Sequence, residues 1–208
     1  MPCLHKFHNY LNLQRIDFAP NTLLVGTFNP AWPAGNAAEW LYGRVGNNYC
    51  WDVLPRLHDA GLNLRWQPPE VWKAFCSQYG IALTDIIFCI NDADQENEQH
   101  RQILGSYQDA KIAEHFHDFT LTDIVGLLRE HPTIQNVYLT RLQGIALFDQ
   151  QWAEVEAYGE QHGLHVRNLR TPSKNARFHM RQFRQEFPNM PEPLRNFIHW
   201  SWAEQWHF

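Results

Sequence analysis

The chain has 208 residues and a formal charge of −5 at pH 7, a size that suits one domain or at most two small ones. Apolar residues make up 44% and charged residues 19%, so the chain can bury a sizeable core and is not disordered as a whole. Taken as a bulk value, the negative charge argues against a protein that binds a polyanion.

Apolar runs and cysteine spacing exclude further classes. No run of about 18 apolar residues occurs, and residues 1–10 are too polar for a signal peptide, so we expect a cytoplasmic protein with no membrane partner. The four cysteines lie at least 13 residues apart, which indicates neither a disulfide framework nor a cysteine-rich metal site. We therefore expect no metal.

Apolar strands and amphipathic helices alternate along the chain. The strands are predicted at 22–26, 81–90, 134–140 and 164–169, and helices at 48–60, 121–130 and 148–162. This alternation predicts an α/β fold, a three-layer sandwich with a central four-stranded parallel sheet flanked by helices. We expect a single domain over 1–208, with an aromatic C-terminal tail from about residue 193.

The fold class indicates where a site would lie, because open α/β sheets bind ligands beyond the carboxyl ends of their strands. The loop after the first strand reads Gly26-Thr27-Phe28-Asn29-Pro30. Glycine permits close approach of the backbone, and the Asn29 amide suits binding of a water or a base edge. An ordinary strand-to-loop turn is the alternative. A phosphate-binding loop is disfavoured, since no glycine-rich or Gly-Lys-Ser/Thr motif follows.

The segment before the helix at 48–60 contains polar and aromatic residues. Asn48 suits the N-cap position of that helix, and Trp51 suits the core. These two structural roles leave Tyr42, Arg44 and Asn47 without an explanation.

The loop after the last predicted strand reads Thr171-Pro172-Ser173-Lys174-Asn175. Ser173 is predicted to cap the next helix, leaving backbone N–H groups free to bind an anion. On that helix Arg177, Arg181 and Arg184 fall at i, i+4 and i+7 and therefore share one face. Such a stripe suits a phosphate backbone, although a solvated charged face is the simpler alternative.

Taken in order, these motifs resemble the uracil-DNA glycosylase superfamily, in its mismatch-specific and hypoxanthine branches. The similarity extends over about residues 22–187. It rests on Gly26 to Pro30, on Tyr42 with Asn48 to Trp51, and on Thr171 to Ser173. The segment from Gly105 to Ile112 resembles a Gly-Ser-x-Asp-x-x-Ile segment of the hypoxanthine branch, one residue longer.

The resemblance implies that the chain removes uracil or hypoxanthine from single-stranded or mismatched DNA as a monomer. The damaged nucleotide would be flipped into a pocket, and water with fixed dipoles would hydrolyse its glycosidic bond without a cofactor. It also implies residue roles. Asn29 would position the water, Gly26, Thr27, Phe28, Tyr42 and Asn48 would form the base pocket, and Ser173, Lys174, Asn175, Arg177 and Arg181 would bind DNA.

Three alternatives stay open. Asn29 lies three places after the strand-end glycine, where the family commonly has its catalytic residue two places on, so Asn48, Asp85 or Asp92 are further candidates for orienting the water. A catalytically silent nucleic-acid-binding relative is a second hypothesis. A small-molecule hydrolase using Ser173 and His179 is a third, disfavoured because the Gly-x-Ser-x-Gly elbow is absent.

The charge of the chain is unevenly distributed. Residues 164–184 contain six lysines or arginines and no acidic residue, while the rest of the chain holds the other 11 basic residues and all 22 acidic ones. This basic segment lies beside the predicted pocket and makes DNA a plausible partner despite the net negative charge. We expect modest, salt-sensitive DNA binding.

Overall fold

The computed structural model describes residues 1–32 and 36–207. In chain order, its elements are β1 (Cys3–Leu4), α1 (His8–Leu11), β2 (Thr22–Gly26), α2 (Cys50–His58), α3 (Pro69–Tyr79), β3 (Ile81–Asp85), β4 (Ile87–Ile90), α4 (Glu98–Ser106), α5 (Asp109–His115), β5 (Phe119–Leu121), α6 (Ile124–Glu130), β6 (Asn136–Leu139), α7 (Ala146–His162), β7 (His165–Asn168), a 3-10 helix (Lys174–His179), α8 (Arg181–Glu186) and α9 (Pro193–Ala203).

A four-stranded sheet lies at the centre of the fold, in the order β3-β2-β6-β7, and each of its pairings is parallel. Alternate side chains of β2 enter opposite cores, because successive side chains of a strand point to opposite faces. Leu24 packs into a core that includes residues of α2, α3 and α9. Leu23 and Val25 pack into a second core with residues of α6 and α7. The predicted α/β fold, a four-stranded parallel sheet flanked by helices, is confirmed.

The predicted strand at 81–90 is in fact two strands in two sheets. β3 ends at Asp85, level with Gly26 at the end of its neighbour β2. β4 then joins a three-stranded antiparallel sheet in the order β1-β4-β5. The run is apolar on both sides of Ile86 because both halves are largely buried, so its sequence does not reveal the change of partner.

The helix predicted at 121–130 begins at Ile124, because Leu121 is still part of β5. Its N-cap is Asp123, whose side chain accepts a hydrogen bond from the Gly126 N–H group.

Pro55 lies inside α2 and, lacking an N–H group, makes no bond to the carbonyl of Trp51. That carbonyl instead accepts a hydrogen bond of 2.8 Å from the N–H group of Leu64. The helix therefore continues through the proline, and the carbonyl that the proline cannot bond is paired outside the helix.

Three buried tryptophans form a column beside the sheet. The ring centroids of Trp40 and Trp51 are 5.6 Å apart, and those of Trp51 and Trp72 are 5.0 Å apart with an interplanar angle of 3°. The Trp51 indole donates to the Leu41 carbonyl at 3.1 Å. The column thus connects the segment before Tyr42 to α2 and α3.

The C-terminal segment is attached to α2 by a buried ionic network. Asp52 is fully buried, and its Oδ1 atom lies 2.7 Å from Nη2 of Arg56. Its Oδ2 atom accepts from Nδ2 of Asn63 at 3.0 Å and lies 3.3 Å from Nη1 of Arg195 on α9. Most of the aromatic tail predicted after about residue 193 forms helix α9, which buries Phe197 among other residues. The ionic network holds this helix against α2.

The described residues contain neither a helix suited to span a membrane nor a cluster of metal ligands. None of the helices at 1–32 and 36–207 combines the length and apolar character needed to cross a membrane. Within the same ranges, no three His, Cys, Asp or Glu side chains are grouped so that they could hold a metal ion. The four cysteines are free thiols and buried.

Candidate active site

Polar groups from three neighbouring strands meet at the carboxyl edge of the central sheet. The Thr140 hydroxyl, just after β6, donates to the Val25 carbonyl at 3.2 Å. Thr140 must then accept the proton of Tyr42, whose Oη atom is 3.0 Å away. Burial, with a smaller contribution from the charge of Asp85, raises the pKa of Tyr42 well above its usual value. The phenol therefore stays neutral and is directed at the strand end.

Gly26 marks the closest approach in this cluster. A Cβ atom at this position would overlap Oδ1 of Asp85 and lie 2.9 Å from Oη of Tyr42. Real Cβ atoms do not have such neighbours, so the packing at this strand end requires glycine.

Asp85, at the end of β3, is paired with a buried histidine from the N-terminal segment. Its Oδ2 atom lies 2.8 Å from Nε2 of His5, and both residues are buried. Sequence reasoning named Asp85 as one candidate but missed His5, because nothing local to His5 indicates a partner 80 residues away.

A second carboxylate, Asp109 at the start of α5, lies beside the first loop. It accepts a hydrogen bond of 2.9 Å from Oγ1 of Thr27 and pairs with Nη1 of Arg141 at 3.3 Å. Burial raises the pKa of Asp109, while Thr27 and Arg141 act in the opposite direction. Asp109 was missed as a site residue, although the resemblance of the segment from Gly105 to Ile112 was a signal for it.

The two residues after Thr27 face the N-terminal segment. The half-buried ring of Phe28 lies edge-on to His5, with centroids 5.8 Å apart. Asn29 is 8% exposed, its Oδ1 atom accepts from Nδ2 of Asn36 at 2.6 Å, and its carbonyl accepts from the Lys6 N–H group at 2.7 Å. The bonds described for Asn29 thus join it to these neighbours and not to Asp85 or Tyr42.

The loop before α2 and the loop after β7 pair with each other. The Tyr49 N–H group donates to the Pro172 carbonyl at 2.6 Å, the Lys174 N–H group donates to the Asn47 carbonyl at 3.1 Å, and a β-bridge joins Asn48 to Ser173. Asn48 also accepts from the Cys50 N–H group at 2.8 Å, but α2 begins at Cys50 and its N-cap is Tyr49, so the N-cap predicted at Asn48 is wrong by one residue. The loop before α2 and the loop after β7, which were predicted separately, therefore form one hydrogen-bonded surface.

Ser173 begins a helical segment, but not the single α-helix predicted. Its Oγ atom accepts from the Asn175 N–H group at 3.3 Å, as predicted for a cap. A 3-10 helix then ends before the buried Met180, and α8 follows. Because of this break, Arg177, Arg181 and Arg184 do not share the face of one α-helix, although all three are exposed. Lys174 and Asn175 are exposed as well.

The fold of this chain resembles that of a known protein. No protein-family model and no curated protein matches the chain. A solved structure does match: the solution NMR structure of a "putative Uracil DNA glycosylase" from Methanosarcina acetivorans, at 15% sequence identity and a TM-score of 0.51, over 91% of this chain and 94% of that one. The chain has the uracil-DNA glycosylase-like fold. At this identity the match shows the fold alone.

Within this uracil-DNA glycosylase-like fold, the segment after β7 carries an aromatic residue that sequence reasoning missed. Phe178 is 72% exposed, and the guanidinium carbon of Arg177 lies 4.9 Å from the centre of its ring. A phenylalanine inside a segment without acidic residues was the available signal in the sequence.

Two of the alternatives from the sequence find little support in this fold. The Oγ atom of Ser173 bonds Thr171 and the Asn175 N–H group, and among the described residues no histidine bonds it, so a Ser173–His179 pair is not assembled. Asp92 follows β4 in the antiparallel sheet and accepts from the His117 N–H group at 2.8 Å. It therefore does not belong to the parallel strand ends.

Proposed function

We propose that this chain, as one uracil-DNA glycosylase-like domain over 1–208, is a monofunctional DNA N-glycosylase that removes uracil or hypoxanthine. One observation carries the proposal. Polar groups gather at the strand ends around Gly26, Tyr42 and Asp85, and the chain also has two loops, paired through Asn48 and Ser173, from which an exposed basic segment continues. The fold shared with the archaeal protein supports it. The cytoplasmic location and the monomeric state stay predictions.

The proposed pocket consists of Gly26, Thr27, Phe28, Tyr42 and Asn48. A flipped nucleotide would place its base against the Phe28 and Tyr42 rings. The bond between the base and C1′ breaks with positive charge developing on the sugar and negative charge on the base. Asn29 is the proposed residue that orients the attacking water, since an amide offers both donors and an acceptor.

The proposed DNA contacts are Ser173, Lys174, Asn175, Arg177 and Arg181. The exposed cations after Ser173 suit phosphates, which position the strand without reading its sequence. The backbone N–H groups of Lys174, Asn175 and Ala176, predicted to be free for an anion, instead donate to Asn47 and Ser173. Single-stranded or mismatched DNA is the proposed substrate, because a base that is already unpaired costs less to extract.

A catalytically silent relative is the second candidate, and one observation favours it. The Oδ1 atom of Asn29 already accepts a hydrogen bond from Asn36, which competes with a water for that oxygen. Such a protein would keep the DNA-binding segment and hydrolyse nothing.

Excision assays separate the two candidates. Oligonucleotides containing uracil, hypoxanthine or xanthine, single-stranded and mismatched, are incubated with excess protein and then treated with alkali to cleave abasic sites. We expect cleavage of at least one of the uracil and hypoxanthine substrates. Binding to these oligonucleotides without cleavage of any would identify the silent relative.

Asn29→Ala is expected to lower the single-turnover excision rate by about 100-fold, because a misplaced water costs roughly that factor. DNA affinity should change by less than about 2-fold, since the side chain is buried and its Oδ1 atom bonds Asn36, which is not one of the proposed DNA contacts. Asn12→Ala, on an exposed asparagine after α1, is the control. Equal losses in rate and affinity would move the water-orienting role to another residue.

Replacing Arg177 and Arg181 together by alanine is expected to weaken binding to every DNA sequence alike. The slope of log Kd against log salt concentration should fall by roughly one unit for each phosphate contact removed. Fluorescence anisotropy at several salt concentrations measures both quantities. Arg129→Ala, on α6, is the matched control and should leave the slope unchanged. An unchanged slope in the double variant would show that the DNA lies elsewhere.

A further inference from the structure

We propose that Asp85 accepts the proton of the attacking water and that His5 is the positioning residue for its carboxylate. This inference rests on the glycosylase function proposed above. It gives a role to a buried histidine–carboxylate pair that the pocket and the DNA-binding segment leave unexplained.

The hydrogen bonds around His5 determine which ring nitrogen carries the proton. The Phe7 N–H group donates to Nδ1 at 2.9 Å, so Nδ1 is an acceptor and has no proton. The proton of the neutral ring is therefore on Nε2, which donates to Oδ2 of Asp85 at 2.8 Å. His5 thus fixes the rotation of the carboxylate by a directed hydrogen bond.

The main chain holds His5 in place from two sides. Its N–H group donates to the Phe88 carbonyl at 2.8 Å, and it forms a β-bridge with Pro30. The next residue, Lys6, donates to the carbonyl of Asn29. His5 therefore lies between β4 and the loop that carries the proposed water-orienting residue.

Asp85 keeps one carboxylate oxygen available. Among the described residues no group donates a hydrogen bond to Oδ1, which lies against Gly26. The Asp85 side chain retains 9% exposure. Both oxygens of Asp109 are occupied, one by Thr27 and the other by Arg141. Of the two carboxylates at this edge, Asp85 is therefore the one with a free acceptor.

The chemistry requires such an acceptor in addition to Asn29. An amide orients water but does not take up its proton at neutral pH. In the proposed step, the water oxygen forms a bond to C1′ while the C1′–N bond breaks and its electron pair leaves with the base. One water proton passes to Oδ1 of Asp85 and from there to solvent, and the base anion takes a proton from solvent.

The test compares single-turnover rate, DNA affinity and thermal unfolding in a set of variants. Asp85→Asn is expected to lower the rate by about 100-fold or more, the range for loss of a general base, with DNA affinity within about 2-fold of the original. Asp85→Ala should be equally slow and regain rate in added formate, which supplies a carboxylate. A structural role alone predicts no such rescue.

The His5 variants test positioning. His5→Leu removes the donor and is expected to cost about 10-fold in rate, whereas His5→Gln keeps an amide donor near Nε2 and should recover most of it. His165→Gln, on a histidine that bonds the Gln205 carbonyl, is the matched control and should leave the rate unchanged.

The outcomes distinguish this inference from the proposed function. An active original chain with a fully active Asp85→Asn variant overturns the inference and leaves the glycosylase function standing. Equal rates for His5→Leu and His5→Gln overturn the positioning role. An original chain that excises no base under any condition overturns both proposals together.

Discussion

Replacing Gly26 by alanine is expected to lower the excision rate by about 100-fold or more, the cost of displacing reacting groups by about an ångström. The added methyl group would occupy the space of Oδ1 of Asp85 and press on the Tyr42 hydroxyl. Either group must then leave the position that the proposed chemistry needs. Single-turnover kinetics on the substrate found in the excision assays measures the loss.

Two further variants show whether the loss has this cause. Gly46→Ala lies in the loop after Tyr42, where an added Cβ atom meets nothing within 4 Å, and should be as active as the original chain. The same overlap should also lower the free energy of unfolding. In an Asp85→Ala background, Gly26→Ala should therefore lower it less than it does alone, because one clashing partner is gone. Additive losses of stability would contradict the close approach of Asp85.

Replacing Asp52 by alanine is expected to lower the free energy of unfolding by about 3–5 kcal/mol, the range for breaking a buried ion pair. The carboxylate is fully buried, and its removal leaves Arg56 without this partner and Arg195 with only the exposed Glu192 as a counterion. Contacts between α2 and α9 should loosen as a result. Denaturant unfolding followed by circular dichroism measures the change.

Two variants frame this prediction. Glu114→Ala removes an exposed carboxylate from α5 and should change stability by less than about 0.5 kcal/mol. Asp52→Asn keeps the shape and loses the charge, so it should destabilise nearly as much as alanine. A loss below about 1 kcal/mol for both Asp52 variants would mean that the arginines find water when the carboxylate is gone.

The sheet could be predicted because its strands are buried on both faces. Such strands are apolar without interruption, and the segment at 22–26 matches β2 residue for residue. The division of 81–90 could not be predicted, since β4 changes to a partner sheet that includes the two-residue strand β1. Pairing with so short and distant a strand leaves no periodic signal near Ile86.

The candidate site was partly predictable for a related reason. Gly26 and Ser173 follow strands, so the fold class alone draws attention to their loops. His5 lies outside any predicted element and reaches Asp85 across 80 residues of sequence. Asp109 depends on the packing of α5 against Thr27, a contact between elements that periodicity does not report.

The tryptophan column also gives the molecule an optical reporter. Trp40 lies two residues before Tyr42, and Trp51 is the second residue of α2. Closely stacked indoles couple their electronic transitions, so the near-ultraviolet dichroism of Trp40, Trp51 and Trp72 depends on their spacing. Any movement of the pocket loop that shifts Trp40 changes this signal without an added label. The folded chain can therefore report on its own loop when a candidate oligonucleotide is added.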